Sequence, residues 1–339
     1  MILIFCIIMS KIKISVVGLC YNGSDIVPEF IESIYRSSLR KEEIEIIIVD
    51  NASPDGSAEY ISKKYPNVNV IARKINIGSG AHNDALRIVK GEYCLFTDSD
   101  MKMEKHCLEN LYKTAKKMGE KVVLLPTLYE YDIKKKLMPS YSVLSRSFYS
   151  TFVKPKDNDL TLKEVFMAGF VFLHKDTAKK LHYIFDNDYF LYAEDFDLCL
   201  RIRLQGFKVY ICPNAIMYNK PPSQTVLKYI TQRRLTYYLE RNLLITFFKI
   251  CSLRTILLYF PYVVIMRKFA LLRDLVRLDF RMFLTRVKAY LWVFTHFSLV
   301  MKKRKMTQKM RKVSDKKIFE IADDKYFLKS ILSRHPQKP

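Results

Sequence analysis

The sequence lacks the patterns that mark cysteine metal sites and the common nucleotide-binding loops. Its seven cysteines include no C-x-x-C pair and no histidine at ligand spacing, which argues against structural zinc. An odd number of cysteines, mostly within apolar runs, indicates reduced, buried thiols in a cytoplasmic setting. Glycine is scarce, with nine in 339 residues. Gly78 and Gly80 are followed neither by the rest of a G-x-G-x-x-G fingerprint nor by the Lys-Ser/Thr of a P-loop, so both motifs are absent.

Acidic residues are scarce in the C-terminal third. The whole chain has 57 Lys and Arg against 34 Asp and Glu; residues 221–339 hold 26 of the former and 7 of the latter. Within residues 266–288, Leu and Phe alternate with arginines at helical spacing, and Lys302-Lys303-Arg304-Lys305 follows. Basic amphipathic helices with aromatic residues bind anionic membrane surfaces. A soluble helical appendage is the alternative; because no nucleic-acid-binding motif accompanies the charge, we expect no nucleic-acid partner.

The sequence also lacks a clean run of the ~20 apolar residues needed to cross a bilayer. Leu243–Met266 is interrupted by two basic residues, and Tyr290–Met301 is too short. Thr255–Met266, with a proline inside it, fits a shallow or re-entrant helix. The apolar run Met1–Met9 has no basic residue before it and no small-residue cleavage site after it. We interpret it as an extension of the first strand or a start-site ambiguity rather than a signal peptide, with a short membrane contact as the less favoured alternative.

The first hundred residues alternate short β-branched runs with amphipathic helical segments. Four runs are predicted strands: Ile12–Leu19, Ile44–Val49, Val68–Ile71 and Tyr93–Thr97. This alternation is typical of βαβ units and of a mostly parallel sheet with helices on both faces. We therefore predict an α/β fold, in which ligands bind beyond the carboxyl ends of the strands.

Side chains suited to binding follow three of these strands. Asn22 follows the first, Asp50 with Asp55 the second, and Asp98 with Asp100 the fourth. Because these strand ends should share one edge of the sheet, we predict a common cleft. Asp98 and Asp100 point the same way in an extended backbone, and they form a hard-oxygen site suited to Mg²⁺ or Mn²⁺. The alternative is a polar loop that closes a strand.

Six stretches of the first 220 residues together carry a family resemblance. They are Val16–Gly23, Ile48–Ser57, Asn76–Leu86, Gly91–Met101, Met167–Lys175 and Phe185–Arg203. In this order they resemble the family 2 glycosyltransferases with a GT-A fold, and most closely the rhamnosyltransferase-like members that extend surface or lipid-linked glycans. The resemblance implies an inverting, metal-dependent enzyme that moves a sugar from a nucleotide-sugar donor to a lipid-linked or cell-surface glycan acceptor.

The resemblance also implies roles for individual residues. Asp195 is the candidate general base, and Glu194 helps to place the acceptor or the donor sugar. Asp98 and Asp100 hold the cation, Mg²⁺ or Mn²⁺. The residues expected to contact the donor are Asn22, Asp50, Asn51, Asn83, Asp98, Ser99 and Gly169.

Some of these stretches also allow simpler interpretations. Glu194 and Asp195 suit the first turn of a helix, whose dipole they complement; such a position would also lower the pKa of Asp195 and keep it ionised. Asp197 and Arg201, four residues apart, fit a helix-surface ion pair. His82 fits an exposed turn.

The chain departs from the family pattern at the metal site. Many relatives place a histidine shortly after the catalytic helix, where this chain has Tyr218, Asn219 and Lys220. The third metal ligand is therefore open: Asn219 can coordinate through its carbonyl, or Lys220 can supply a fixed positive charge near the diphosphate. Further on, Arg241 and Asn242 lie in a segment that resembles the Tyr-rich Arg-Asn segment that follows the catalytic domain in this family.

We predict a GT-A domain over residues 1–222 and a helical, basic region over residues 223–339. The second region is expected to bind the cytoplasmic face of the membrane, in a peripheral or re-entrant manner. A rival interpretation, a sugar nucleotidyltransferase, needs a basic glycine-rich loop that Cys20–Ser24 does not provide. Another rival, a non-catalytic nucleotide-sugar-binding or membrane scaffold, would not need the intact carboxylates.

Overall fold

A computed structural model of the chain describes residues 11–131, 141–145, 147–153, 163–165, 170–220 and 231–322. The strands in these ranges are β1 (Ile14–Cys20), β2 (Ile44–Asp50), β3 (Asn69–Ala72), β4 (Tyr93–Asp98), β5 (Met101–Met103), β6 (Val122–Glu130), β7 (Tyr141–Leu144), β8 (Ser150–Val153), β9 (Lys163–Glu164), β10 (Val171–His174) and β11 (Lys208–Asn219). The α-helices are α1 (Val27–Tyr35), α2 (Ser57–Lys64), α3 (Cys107–Met118), α4 (Lys175–Lys180), α5 (Glu194–Leu204), α6 (Gln232–Ile250), α7 (Leu253–Val276), α8 (Phe280–Thr295), α9 (Phe297–Lys309) and α10 (Asp315–Ile318). Lys41–Glu43 and Gly78–Arg87 form 3₁₀ helices.

Nine of the strands form one mixed sheet. Its order is β3-β2-β1-β4-β10-β6-β11-β5, and β9 pairs with β11. As predicted, β1 pairs in parallel with β2 and β4, and β2 in parallel with β3. Beyond them, β10 runs antiparallel to both β4 and β6. The parallel half brings the carboxyl ends of β1, β2 and β4 to one edge of the sheet.

The four predicted strands are confirmed, and helices cover both faces of the sheet. β1, β2 and β4 are buried along nearly their whole length, as expected of apolar runs covered on both sides. α1 covers one face through Val27, Phe30, Ile31 and Ile34, the spacing of an amphipathic helix. The 3₁₀ helix Gly78–Arg87 and α5 contribute to the core on the other face.

The C-terminal helices pack on the sheet domain through a core of their own. Leu243, Phe247 and Ile250 of α6 lie in one buried cluster with Phe196 and Leu200 of α5. The helical region therefore packs through α6 against the first turns of α5. The predicted boundary between residues 222 and 223 falls outside the described residues and stays a prediction.

The apolar run Leu243–Met266 is divided between two helices. Its first part lies in α6 and is buried, and α7 starts after Ser252, whose hydroxyl accepts a hydrogen bond from the Thr255 N–H (3.2 Å). Pro261 lies inside α7 without ending it, so the predicted re-entrant segment is only part of a longer helix. Within the described residues, α7 is the one helix long and apolar enough to cross a membrane.

The arginines of residues 266–288 are divided between the interior and the surface. Arg267 and Arg286 are buried, and Arg286 donates to Asp274 at 2.7 Å. Arg277 and Arg281 are exposed. The alternation of apolar and basic residues therefore does not place every arginine on a basic surface, and membrane binding by this region stays a prediction.

The described cysteines are all free and buried. This confirms the expected burial of Cys20, Cys94, Cys107, Cys199, Cys212 and Cys251, and their reduced state stays a prediction. Cys6 and the run Met1–Met9 lie outside the described residues.

Candidate active site

The polar ends of β1, β2 and β4 meet at one edge of the sheet, as the sequence predicts. In the parallel ladders Cys20 pairs with Asp50, and Leu19 pairs with Asp98. The Asn51 N–H donates to the Cys20 carbonyl (2.8 Å) just beyond the ladder. Asp50 and Asp98 therefore lie on opposite sides of the end of β1, at the mouth of one cleft.

Side-chain hydrogen bonds around Asp50 join the loops after β1 and β2. Asp50 is buried and accepts from the Ser53 N–H (3.0 Å) and hydroxyl (2.5 Å). The Ser53 hydroxyl in turn accepts from the Asn22 N–H (3.0 Å). Asn22 has a φ of +54°, and its buried side-chain oxygen has no partner among the described residues. This oxygen is free to accept a hydrogen bond from a ligand.

Asn51 and Asn83, both predicted to contact the donor, form hydrogen bonds within the protein through their side-chain amides. Asn51 donates to the Gly78 carbonyl (3.1 Å) and accepts from the Ile77 N–H (3.1 Å). Asn83 donates to the Phe185 carbonyl (2.7 Å) and accepts from the N–H of the same residue (3.3 Å). These bonds position the loops around the cleft, and direct contact of either amide with a donor stays a prediction.

Asp98 and Asp100 follow the end of β4. Asp98 is accessible to solvent but recessed among protein atoms, whereas Asp100 is partly buried and its Oδ1 has no partner in the described structure. Between them Ser99 is buried, and its N–H donates to the Leu19 carbonyl (3.0 Å). Restricted solvation raises the pKa of Asp98 to about 6 and that of Asp100 to about 7; repulsion from Asp195 adds to the first and repulsion from Asp98 to the second.

Glu194 and Asp195 are the first two residues of α5, and both repel Asp98. Glu194 accepts from the Ser79 hydroxyl (2.8 Å), and its other oxygen is buried with no partner among the described residues. Asp195 accepts from the Phe196 N–H (2.8 Å). Loss of solvent, with repulsion from Asp195, raises the pKa of Glu194 to about 8, and loss of solvent raises that of Asp195 to about 6. The expectation that the helix start lowers the Asp195 pKa is wrong because burial outweighs the backbone hydrogen bonds.

Burial, with repulsion between some of these groups, disfavours the ionised forms of the four carboxylates. Within the described ranges no group of three or more His, Cys, Asp and Glu side chains is arranged to hold a metal. Among the described residues, Asp98 and Asp100 are therefore the candidate protein ligands for a divalent cation. The raised pKa values and the unpartnered Asp100 oxygen indicate uncompensated charge. Mg²⁺ and Mn²⁺ prefer such oxygen ligands, so these residues fit the implied cation.

Asn219 and Lys220 lie near the position where the family resemblance leads us to expect a histidine. Asn219 pairs with Met101 in the sheet, and the Lys220 N–H donates to the Asp100 carbonyl (3.1 Å). The Lys220 ammonium pairs with Glu29 and partly offsets the burial that raises the Asp100 pKa. A fixed positive charge thus lies beside Asp100, while coordination by Asn219 stays a prediction.

His82 is buried, which corrects the prediction of an exposed turn. Its ring nitrogens lie 3.0 Å from the Ser79 carbonyl and 3.1 Å from the Thr97 carbonyl. The prediction fails because the 3₁₀ helix packs this segment against the end of β4. His82 therefore connects that strand end with the loop that bonds Glu194.

The segment before α5 has a strained backbone. Phe190, Tyr192 and Ala193 all have positive φ, between 61° and 63°, which costs roughly 1–3 kcal/mol for each such residue. Gly78, with a φ of +68°, packs so closely that any side chain there would collide with the Phe190 carbonyl. The Ser79 N–H donates to the same carbonyl (3.0 Å). Such strain persists only where the surroundings hold the backbone firmly.

Arg241 and Asn242 of α6 provide a second support for this segment. Arg241 donates to the carbonyls of Asp188 (2.6 Å) and Tyr189 (3.0 Å). The Asn242 amide nitrogen lies 2.7 Å from the Tyr192 carbonyl and 3.0 Å from two others. Sequence reasoning missed this positioning role. Its signal was an adjacent Arg-Asn pair within an apolar helix, because buried polar side chains require partners.

A buried ion network lies directly behind Asp195. Arg201 and Asp197 are both fully buried and 2.8 Å apart, so the predicted pairing is confirmed but its surface location is wrong. Lys249 of α6 lies 2.6 Å from Asp197 and 2.8 Å from Asp186. The C-terminal helices cover this face of α5, which is why an i, i+4 pair that looks like a surface pair is internal.

Comparison with known proteins identifies the domain that builds this site. Residues 15–181 match the profile of glycosyl transferase family 2. This domain is a family 2 glycosyltransferase domain. The matched range contains Asp50, Asp98 and Asp100 and ends before α5. It also contains Gly169, a predicted donor contact that lies outside the described residues.

Two relatives show how far the similarity extends. A poly(ribitol-phosphate) beta-glucosyltransferase of Bacillus spizizenii is 41% identical over 117 residues, which are 33% of this chain and 18% of that protein. A Methanococcus voltae enzyme, a glucuronosyltransferase named for a dolichyl N-acetyl-alpha-D-glucosaminyl phosphate, is 23% identical over 241 residues, 68% of this chain and 74% of that protein. The chain thus spans less than a fifth of the first relative's length.

A solved structure confirms the predicted GT-A type of fold. GalNAc-T7, crystallised with UDP, GalNAc and Mn²⁺, superposes with a TM-score of 0.56 at 14% identity over 70% of this chain and 48% of that chain. At this level of identity the match concerns the fold alone.

Proposed function

We propose that this chain transfers a sugar from a nucleotide-sugar donor to a hydroxyl of a lipid-linked or cell-surface glycan, with inversion at the anomeric carbon. The observation that carries the proposal is the meeting of two carboxylate pairs, one after β4 inside the family 2 match and one at the start of α5, which follows the matched range. The first pair, Asp98 and Asp100, suits a divalent cation that binds the diphosphate of the donor. The second pair, Glu194 and Asp195, suits removal of a proton from the acceptor. The named activities of the two relatives support this class of reaction.

Asp195 is proposed to act as the general base. It takes the proton of the acceptor hydroxyl, whose oxygen bonds to the anomeric carbon while the bond from that carbon to the diphosphate breaks. The electron pair of the broken bond leaves with the diphosphate. A pKa of about 6 keeps Asp195 mostly ionised at neutral pH and still basic enough to accept a proton. Glu194, held by Ser79, is proposed to place the sugar or the acceptor.

The donor is proposed to bind along the ends of β1, β2 and β4. Asp50 and Asn22 would bind the nucleoside, and Lys220 would lie near the diphosphate. Asp98 and Asp100 would hold Mg²⁺ or Mn²⁺, which when bound neutralises the charge of the leaving diphosphate. Because the described residues provide only these two carboxylates for the cation, its affinity in the absence of a nucleotide should be weak.

A thermal-shift screen tests donor binding. We expect one nucleoside diphosphate, among UDP, GDP, CDP, ADP and dTDP, to raise the melting temperature with Mn²⁺ and much less with EDTA. A ligand at 100 times its Kd stabilises the folded state by about 2.7 kcal/mol, which corresponds to several degrees. Mn²⁺ without nucleotide is the control and should shift the melting temperature little. If no nucleotide shifts it under either condition, the proposed function is wrong.

The exposed apolar face of α7 supports a peripheral membrane location. Leu258, Ile265, Phe269, Leu272 and Val276 form one exposed apolar stripe on α7, at heptad-like spacing. The opposite face of α7 is buried along the same length, at residues 263, 266, 267, 270 and 274. α7 therefore lies along the protein with one apolar face outward. Exposed cations flank it, so we propose that this surface binds the anionic cytoplasmic face of a membrane.

Vesicle binding tests this location with the full chain. We expect the protein to co-sediment with vesicles of 70% POPC and 30% POPG much more than with POPC alone. Leu272→Glu should lower the partition coefficient about tenfold, because it places a charge in the apolar stripe. Ile75→Glu is the matched control, since Ile75 is 70% exposed but lies in the sheet domain. Equal losses in both variants, or no binding by the parent protein, would contradict the proposal.

A further inference from the structure

An open pocket of about 290 Å³ lies between the first turns of α6 and the middle of α8. Three cationic side chains, Arg233, Arg234 and Lys288, line it together with Tyr237, Tyr238 and two threonines. No carboxylate lines the pocket. In the part of the chain that the structure describes, none of the three cations forms an ion pair, in contrast to the buried arginines elsewhere in the helical region.

The pocket adjoins the strained segment that leads into α5. Phe190 stacks on Tyr238, with ring centroids 5.5 Å apart and an interplanar angle of 23°. The Arg234 guanidinium lies 5.3 Å from the Phe190 ring. Phe190, which both Tyr238 and Arg234 contact, lies only four residues before Glu194. A ligand in the pocket would therefore lie next to the part of the cleft that carries Glu194 and Asp195.

We infer that this pocket binds a phosphate group of the acceptor, at a distance of one or more units from the hydroxyl that receives the sugar. The inference rests on the proposed function, since it assigns the acceptor class of the same site. Phosphate oxygens bind the planar fork of arginine in a bidentate manner and accept charge-assisted hydrogen bonds from lysine. The tyrosine rings offer apolar faces to the carbon skeleton of a sugar or a polyol.

The aromatic contacts suggest why such a subsite should matter for transfer. Arg234 lies over the Phe190 ring, so a phosphate bound to Arg234 would stabilise the strained backbone that leads to Glu194 and Asp195. An acceptor that carries phosphate should therefore be a better substrate than a neutral glycoside with the same terminal sugar. The chemistry fits a polyol phosphate chain or a lipid-linked sugar phosphate equally well.

Binding of a phosphodiester-linked glycerol phosphate trimer tests the inference. Isothermal titration is done on the full chain with the parent protein, Arg233→Ala and Lys288→Ala. Both side chains are exposed, so folding should not depend on them. We expect each variant to bind the trimer about tenfold more weakly, because one charge-assisted contact is lost. Arg254→Ala is the control, since Arg254 is an exposed cation of α7 outside the pocket.

The outcomes separate this inference from the proposed function. If the parent protein shows no nucleotide-dependent thermal shift, the proposed function fails, whatever the trimer does. If nucleotide binding is intact and the two pocket variants bind the trimer like the parent, the phosphate subsite is wrong. An equal loss in Arg254→Ala also overturns it, because the attraction is then general. If the pocket variants lose binding only to the POPC/POPG vesicles, the pocket recognises lipid headgroups and the acceptor assignment is wrong.

Discussion

Asp195→Asn is expected to lower kcat/KM for sugar transfer by about 10²–10⁴-fold and to leave the affinity for the donor nucleotide nearly unchanged. The asparagine keeps the shape of the side chain and the hydrogen bond from the Phe196 N–H, but it cannot take the acceptor proton. Loss of a general base has an effect of this size. Nucleotide release in a coupled assay measures transfer, and the nucleotide-dependent thermal shift measures donor binding.

The pH dependence of the parent enzyme provides a second measurement of the same role. The base must be ionised, and the pKa of Asp195 is about 6. We expect kcat/KM to fall about tenfold per unit as the pH decreases below about 6 and to level off above it. At saturating Mn²⁺ and donor, where a bound cation keeps Asp98 and Asp100 ionised, the residual activity of Asp195→Asn should lack this dependence. Transfer by the variant at the parent rate would show that another group accepts the proton.

Stability measurements separate loss of the base from misfolding. The folded-state pKa of Asp195 lies above its ordinary value near 3.9, so the fold favours the neutral carboxyl. The neutral Asp195 carboxyl therefore stabilises the fold fully below about pH 4, and this stabilisation is lost as the pH rises through about 6. Asparagine cannot ionise. Asp195→Asn should therefore be at least as stable as the parent at pH 8, and a lower melting temperature there would point to misfolding.

Lys249→Met is expected to destabilise the protein by about 3–5 kcal/mol, the usual cost of removing one partner from a buried ion pair. Lys249 is fully buried, 2.6 Å from Asp197 and 2.8 Å from Asp186. Methionine fills similar space but leaves the two carboxylates with less positive charge. Urea denaturation at pH 7 measures the free energy of unfolding of the parent and the variant.

Lys303→Met is the matched control for this experiment. Lys303 also pairs with Asp186, but it keeps 17% of its side-chain area exposed and lies 2.6 Å from Asp188, which is 40% exposed. Lys303 is partly solvated whereas Lys249 is fully buried, so the loss of Lys303 should cost less than the loss of Lys249. Equal costs for the two variants would mean that burial does not set the strength of this network.

The pH dependence of stability should also show the effect of Lys249 on Asp186. Burial alone would raise the pKa of Asp186, but Lys249 and Lys303 outweigh it and hold this pKa well below its usual range. The stabilising contribution of Asp186 is therefore present above about pH 4 and is lost as the pH falls further. In Lys249→Met this acid-sensitive part should be reduced, so the two proteins should become more similar in stability at low pH.

Much of the candidate site was predictable because it depends on local pattern and sheet topology. Parallel strands with short connections bring their carboxyl ends together, so Asn22, Asp50 and Asp98 could be placed at one edge without coordinates. The GT-A fold and the family were predictable from the order of the motifs. The direct donor contacts, the metal ligands and the base stay predictions until donor binding and transfer are measured.

The predictions that failed concern burial, which neighbouring residues in the sequence do not reveal. His82 and the Asp197–Arg201 pair have polar sequences around them but are covered by distant elements. Arg286 has helical spacing typical of a basic face, but it pairs internally with Asp274. The helix start was expected to lower the Asp195 pKa, whereas desolvation in the cleft raises it.

By itself, the sequence of this protein determined the α/β alternation, the family and the strand ends that carry its carboxylates, because these follow from periodicity and from order along the chain. Only the tertiary structure decided that Arg241 and Asn242 hold the strained backbone before α5 and that Lys249 neutralises buried aspartates behind it. Among the described residues, it also decided that Arg233 and Lys288 are exposed and form no ion pair. The reason is physical: pKa values, ion pairing and backbone strain depend on which distant groups exclude water from a site, and that depends on packing between segments far apart in the chain.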